Sequence, residues 1–101
     1  MSFEMIAPGQ LDSYVGNSNA LIIDLRDPRD YMERHIKGAV NIPYGQLQTC
    51  CMFPKNMWLI LYCERGASSM SVAKELAEKG YKVKSVVGGL HAYRGKMIET
   101  Y

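Results

Sequence analysis

The chain has 101 residues, of which 48% are apolar and 22% are charged, and its formal net charge is +2. This composition excludes disordered, collagen-like and low-complexity architectures, and the length predicts a single domain over residues 1–101. The small positive charge argues against nucleic acid as a partner, because nucleic-acid-binding domains usually carry a dense basic patch.

Membrane contact and secretion are not expected from this sequence. No apolar run approaches the roughly 20 residues that cross a bilayer. The segment Met1–Ile6 lacks the basic start and the long apolar stretch of a secretory signal. Three cysteines, Cys50, Cys51 and Cys63, form a poor disulfide framework and suit a reducing compartment. The sequence therefore predicts a cytoplasmic protein, with a monomer as the default state.

The first part of the chain alternates short strands and helices. A strand is predicted over Phe3–Ile6, and apolar residues at helical spacing predict a short helix near residues 11–15. Ala20–Ile23 is a continuous apolar run, which is typical of a strand buried on both faces of a parallel sheet. Asp27 and Pro28 then predict the start of a helix, as the N-cap and the first helical residue.

The remainder of the chain continues this alternation. Its predicted elements are a third strand over Ala39–Ile42, an ambiguous helical turn over Gly45–Cys51, a fourth strand over Met57–Tyr62, an amphipathic helix from near Ser68 to Gly80, a last strand over Lys84–Val87 and a short C-terminal helix. Strands that alternate with helices predict an α/β architecture with a parallel sheet.

Two residues whose side chains could take part in a reaction, Asp24 and Cys63, lie at the ends of predicted strands. Ligands of parallel α/β sheets bind beyond the carboxyl ends of the strands. Asp24 is either a general base or, as we favour, a structural group that bonds loop amides or pairs with Arg26 or His35. Arg26 is expected to pair with Asp30 or with nearby carbonyl groups, since an arginine beyond an apolar strand seldom stays unpaired.

Cys63 lies between a buried strand and a helix, where three features favour the thiolate over the thiol. The turn should direct backbone N–H groups inward, the helix near Ser68 adds a positive dipole end, and Arg65 adds a full charge. Gly66 permits a tight turn with positive φ, whereas the carboxylate of Glu64 opposes anion binding. The alternative is a buried structural cysteine that happens to end a strand.

Ionisation of a thiol explains only a small part of a rate enhancement. Lowering a thiol pKa by about two units raises the thiolate fraction at pH 7 about 25-fold. Nucleophilicity falls about 8-fold over the same interval, which leaves a net gain of about threefold. The loop after Cys63 is therefore expected to act mainly by holding an anionic substrate and stabilising charge as it moves.

Three segments resemble the signatures of rhodanese-type domains, in the same order and over nearly the whole chain. They are Ile23–Tyr31 with His35–Pro43, Leu61–Ser69, and Val87–Leu90 with Tyr93. The resemblance implies a three-layer α/β/α fold, with a five-stranded parallel sheet and helices on both faces. It also implies a single-domain sulfurtransferase that uses no metal or organic cofactor.

The same resemblance implies a reaction and a set of residues. Sulfane sulfur would pass from an anionic donor such as thiosulfate to a thiophilic acceptor, either cyanide, a thiol or a thioredoxin-like protein. Cys63 aligns with the nucleophile that carries the sulfur as a persulfide, and Asp24 and Arg26 are implied as supporting residues. Arg65 would steer the donor's charge. The residues that match the donor-binding loop are Glu64, Arg65, Gly66, Ala67 and Ser68.

Two other functions remain open from the residues. Ser68 stands where many members carry arginine, and together with Glu64 it keeps open a rhodanese-like binding or regulatory module with weak turnover. Phosphatases and arsenate reductases of related fold need one more loop residue and an arginine six positions after the cysteine, where this chain has Ser69. That second alternative is therefore disfavoured.

The remaining cysteines and histidines suggest no further chemistry. Cys50 and Cys51 could accept sulfur from Cys63, but packing is the simpler interpretation, because a vicinal disulfide is strained. His35 and His91 have no metal-ligand spacing to any cysteine, so no metal site is expected.

Overall fold

A computed structural model describes residues 3–50 and 52–100 of the chain. Its strands are β1 (Glu4–Ile6), β2 (Ala20–Asp24), β3 (His35–Ile36), β4 (Val40–Asn41), β5 (Trp58–Tyr62), β6 (Lys82–Val86) and β7 (Ile98–Glu99). Its α-helices are α1 (Pro28–Glu33), α2 (Tyr44–Cys50) and α3 (Ala67–Glu78), and 3-10 segments cover Pro8–Tyr14 and Leu90–Ala92. No helix among these residues is both long and apolar enough to span a bilayer.

The main sheet has five parallel strands in the order β1-β6-β5-β2-β4. The central strand β5 pairs with β2 along its whole length, from Trp58 opposite Ala20 to Tyr62 opposite Asp24. Four of the five β5 residues are buried. A continuous apolar strand is favoured here because helices cover both faces of a parallel sheet. The predicted α/β fold with a five-stranded parallel sheet is confirmed.

Two hydrophobic cores lie on opposite faces of this sheet, because successive strand residues point to opposite sides. Ile60 and Tyr62 of β5 pack in one core, with Leu11 from the first 3-10 segment. Leu59 and Leu61 pack in the other core. Its α3 members are Val72, Ala73 and Leu76. The layers therefore fix both faces of β5 and, with them, the position of the residue that follows this strand.

Helix α1 starts where the sequence predicts. Asp27 is its N-cap and accepts a hydrogen bond from the Arg29 N–H, and Pro28 occupies the first helical position. The predicted ambiguous turn near residue 45 forms α2. The predicted helix near residue 11 is a 3-10 segment that starts earlier, at Pro8, and buries Leu11.

A small second sheet was not predicted. The two-residue strands β3 and β7 pair antiparallel, with His35 opposite Glu99 and Ile36 opposite Ile98. The predicted C-terminal helix is only the 3-10 turn Leu90–Ala92. Strands of two residues show no periodicity, so the pattern of the sequence carries no signal for them.

Candidate active site

Cys63 lies directly beyond the carboxyl end of β5 and four residues before the start of α3. It is 6% exposed, because its side chain packs in the core on the α3 side of the sheet. The sulfur is therefore nearly covered from solvent, but it lies at the edge of the sheet where α/β proteins bind ligands.

Two backbone N–H groups donate to the Cys63 sulfur. The Gly66 nitrogen lies 3.0 Å from Sγ and the Ser69 nitrogen lies 3.4 Å from it. Ser69 belongs to the first turn of α3, whose N–H groups have no acceptor within the helix. The N-terminal end of a helix carries a partial positive charge, so this position stabilises an anionic sulfur.

The tight turn depends on Gly66, the N-cap of α3, which has φ of +104°. Residues with a Cβ rarely adopt this conformation. A Cβ at Gly66 would also lie 3.0 Å from the Gly88 nitrogen. The predicted positive φ at Gly66 is confirmed, and it lets the chain bend back so that the Gly66 N–H meets the sulfur.

A second loop, Gly88–His91, supports the Cys63 loop through backbone hydrogen bonds. The N–H groups of Leu90 and His91 donate to the carbonyl oxygens of Cys63 and Glu64, each at 2.9 Å. Gly89 has φ of +61°, and a Cβ on it would lie only 2.4 Å from the Cys63 oxygen. The two loops therefore need a glycine at this crossing.

The other predicted loop residues divide between the turn and the helix. Glu64 and Arg65 are exposed in the turn, and Gly66 is buried. Ala67 and Ser68 are exposed, but they already form the first turn of α3. Their N–H groups join that of Ser69 at the positive end of the helix.

Asp24 and Arg26 form a buried ion pair at the end of β2. Three hydrogen bonds of 2.8 to 3.1 Å join the Arg26 guanidinium to the Asp24 carboxylate, which also accepts the Arg26 backbone N–H at 2.9 Å. Burial lowers the pKa of Arg26, but the hydrogen bonds and charge of Asp24 outweigh this effect and raise it. Pairing with Arg26, one of the predicted options for Asp24, is confirmed, and of the two partners predicted for Arg26 the structure shows a nearby carbonyl group, that of Arg34, and not Asp30.

The guanidinium also joins this ion pair to the cysteine loop. Arg26 donates from one nitrogen to Glu64 Oε1 at 3.2 Å and from another to the Arg34 carbonyl oxygen. The charge of Glu64 is therefore offset by a buried cation. The neighbouring Tyr62 has a raised pKa, mainly because it is buried and to a lesser extent because Asp24 is charged. Its hydroxyl oxygen accepts a hydrogen bond from the Ile36 N–H.

Ser69 and Ser85 belong to the site, although the sequence reading assigned them no role. Both are fully buried, and their hydroxyl oxygens are 2.9 Å apart. Ser69 Oγ lies 3.7 Å from the Cys63 sulfur. Strand alternation was the available signal, because Ser85 shares a face of β6 with the buried Val83.

Two of the cysteine predictions lie outside the described region. Cys51 is not among the described residues, and of Cys50 only the backbone, at the end of α2, is described. Among the described residues, no three His, Cys, Asp or Glu side chains come together as metal ligands would.

Similarity to known proteins was found in sequence and in structure. The family model for the rhodanese-like domain matches residues 7–96. The thiosulfate sulfurtransferase GlpE of Coxiella burnetii is 32% identical over 96 residues, which cover 93% of this chain and 90% of that protein. The tRNA sulfurtransferase of Desulfurococcus amylolyticus is 33% identical over 100 residues, which cover 96% of this chain but only 20% of that protein.

The structure is also similar to a solved structure of a rhodanese-like domain protein. A rhodanese-like domain protein from Staphylococcus aureus superimposes with a TM-score of 0.84 over 98% of this chain and 99% of its own, at 24% identity. A fold match together with a family match over residues 7–96 is decisive. The chain belongs to the rhodanese-like domain family.

Proposed function

We propose that this protein is a sulfurtransferase that moves sulfane sulfur from an anionic donor such as thiosulfate to a thiophilic acceptor through a persulfide on Cys63. The observation that carries the proposal is the Cys63 sulfur, which accepts two backbone N–H groups at the N-terminal end of α3. The name of the Coxiella burnetii relative supports thiosulfate as the donor.

In the first half of the reaction, the Cys63 thiolate attacks the outer sulfur of thiosulfate. A sulfur–sulfur bond forms on the enzyme, the bond to the sulfonate group breaks, and sulfite leaves with that bonding pair. The total charge is the same on both sides, so no proton or redox partner is needed. This is nucleophilic catalysis in two steps.

In the second half, the acceptor attacks the terminal sulfur of the persulfide. Cyanide leaves as thiocyanate and returns Cys63 to the thiolate, and a small thiol or a thioredoxin-like protein would accept the sulfur in the same way. Throughout the cycle the sulfur atoms carry negative charge. Donors at the N-terminal end of α3 stabilise that charge without reorganisation, which is the main way such sites lower a barrier.

The loop side chains have separate roles in this scheme. Arg65 is exposed and attracts the dianionic donor, Gly66 donates its backbone N–H to the sulfur, and Ala67 and Ser68 form the first turn of α3. Glu64 would repel the donor, but its carboxylate pairs with Arg26. Asp24 and Arg26 hold this edge of the sheet and act as supporting residues.

The test is the intact mass of the protein after incubation with thiosulfate and removal of the excess. The wild-type chain is expected to gain one sulfur atom, and Cys63→Ser is expected to gain none. An unmodified wild-type chain, or an equal gain in Cys63→Ser, would reject Cys63 as the nucleophile. A persulfide that forms but never passes to cyanide or a thiol would favour a binding or regulatory module.

A further inference from the structure

We propose that Ser69 and Ser85 form a hydroxyl relay that supplies a third hydrogen bond to the Cys63 sulfur when that sulfur becomes anionic. This inference rests on the proposed function, because it concerns how the same sulfur is stabilised. Ser69 would donate directly to the sulfur. Ser85 would act through Ser69, as a positioning residue.

The pair is buried at the interface between α3 and the sheet. Ser69 lies in the first turn of α3 and Ser85 near the end of β6, and both are 0% exposed. Buried hydroxyl groups are costly unless they are hydrogen-bonded. Burial of these two hydroxyl groups beneath the cysteine loop therefore has a free-energy cost. The hydrogen bond between Ser69 and Ser85, at 2.9 Å, offsets part of that cost.

Counting hydrogens fixes the direction of the relay. Among the described residues, the only hydrogen-bond partner of the Ser85 hydroxyl is Ser69. Ser85 must therefore donate to Ser69, since its own hydrogen would otherwise be buried without an acceptor. The single hydrogen of Ser69 then remains free for another acceptor.

Two acceptors compete for the Ser69 hydrogen. Ser69 Oγ lies 3.1 Å from the Gly66 carbonyl oxygen and 3.7 Å from the Cys63 sulfur. With a neutral thiol, the S–H group donates to Ser69 and the serine donates to Gly66. When the thiol loses its proton, a hydroxyl rotation turns the Ser69 hydrogen toward the sulfur, because an anion is the stronger acceptor. Ser85 continues to donate to Ser69 in both states.

This device complements the two backbone donors. The Gly66 and Ser69 N–H groups donate to the sulfur from backbone positions that the turn fixes. The Ser69 hydroxyl instead changes partner as the charge appears. An interaction that is stronger in the charged state than in the neutral one favours the thiolate selectively.

The test is the rate of alkylation of Cys63 by iodoacetamide as a function of pH, followed by mass spectrometry on the peptide that contains Cys63. Ser69→Ala is expected to move the midpoint of this profile upward by about one pH unit, as for the loss of one hydrogen bond to a charged group. Ser85→Ala is expected to move it in the same direction by a smaller amount. The matched control is Ser71→Ala, an exposed serine two residues further along α3.

The charged side chains on the elements around the loop are unchanged in all these variants. Those at the end of β2, in the cysteine loop and in the Gly88–His91 loop are Asp24, Arg26, Glu64, Arg65 and His91. Because these residues are the same in every variant, a difference between the profiles is assigned to the serine substitutions.

The double variant Ser69→Ala/Ser85→Ala gives the decisive comparison. Because Ser85 acts through Ser69, the double variant is expected to match Ser69→Ala, with no additional shift. It also removes both hydroxyl groups, so no buried serine hydroxyl is left without a partner. A midpoint in Ser69→Ala equal to that in Ser71→Ala, or additive shifts in the double variant, would overturn the relay.

This result is separable from the proposed sulfur transfer. If thiosulfate adds no sulfur to the wild-type chain, the transfer proposal fails, while the alkylation profiles still report on the hydroxyl pair. If the sulfur adds but the serine variants leave the profile unchanged, only the relay fails.

Discussion

Arg26 is a buried cation that pairs with two carboxylates, the buried Asp24 and the exposed Glu64. Its guanidinium neutralises the fully buried Asp24 and also reaches the partly exposed Glu64 in the cysteine loop. The first contact has a large energetic consequence, because an isolated buried carboxylate is strongly unfavourable. The second contact contributes less to stability, since Glu64 is exposed and solvent screens the pair. The contact between Arg26 and Glu64 matters mainly because it pairs the Glu64 carboxylate, in the cysteine loop, with a cation.

Removal of this cation should therefore destabilise the fold. We expect Arg26→Ala to lower the free energy of unfolding by about 3–5 kcal/mol, because it leaves Asp24 buried and unpaired. Arg29→Ala, at an exposed position of α1, is the control and should change it by less than about 0.5 kcal/mol. Urea unfolding of both variants measures the difference, and equal losses in the two variants would refute this role of Arg26.

At the scale of elements, the cysteine loop has its shape because a second loop supports it. The turn from β5 into α3 has few residues, and the carbonyl groups of Cys63 and Glu64 accept hydrogen bonds from Leu90 and His91 of the other loop. Gly89 allows this approach, because its backbone lies against those of Cys63 and Glu64. The position of the sulfur therefore depends on residues far from it in sequence.

Gly89→Ala tests this support directly. The new Cβ would overlap the backbone of Cys63 and Glu64, so the loop must move and sulfur transfer should fall by about 10-fold to 100-fold. Gly16→Ala is the matched control, since Gly16 also has positive φ, +76°, but no atom lies within 4 Å of the added Cβ. Transfer rates of the two variants from thiosulfate to cyanide make the comparison. A Gly89→Ala enzyme as active as Gly16→Ala would show that the support is dispensable.

Long, strongly patterned elements were predictable from the sequence, and tertiary contacts were not. The apolar run of β5 and the N-cap Asp27 carry local signals that survive folding. The ion partner of Arg26 was only partly predicted, because Glu64 is 38 residues away and reaches it only through the fold. Ser85 was interpreted only as a strand residue, since its partner Ser69 lies on another element. The small sheet of β3 and β7 was missed because each strand has two residues.

At the scale of the whole molecule, the parallel sheet determines where chemistry can occur. All five strands point the same way, so the residues after β2 and β5 meet at one edge of the sheet. Asp24 and Tyr62 lie in register on these neighbouring strands, with Cys63 one residue further. Two cores cover the two faces, which leaves the ends of the strands as the accessible place for a ligand. The fold of the whole domain therefore places the Cys63 sulfur and its backbone N–H donors at this edge.

The most direct measurement of sulfur transfer through Cys63 is a single turnover. The protein is loaded with thiosulfate, freed of the excess by gel filtration and mixed with cyanide, and the thiocyanate released is counted per chain. We expect about one thiocyanate per wild-type chain, as for one covalent intermediate at one nucleophile. The control Cys50→Ser/Cys51→Ser should release the same amount, and Cys63→Ser should release none. Thiocyanate release from Cys63→Ser at the wild-type level, or its loss only in the Cys50→Ser/Cys51→Ser control, would contradict a persulfide on Cys63.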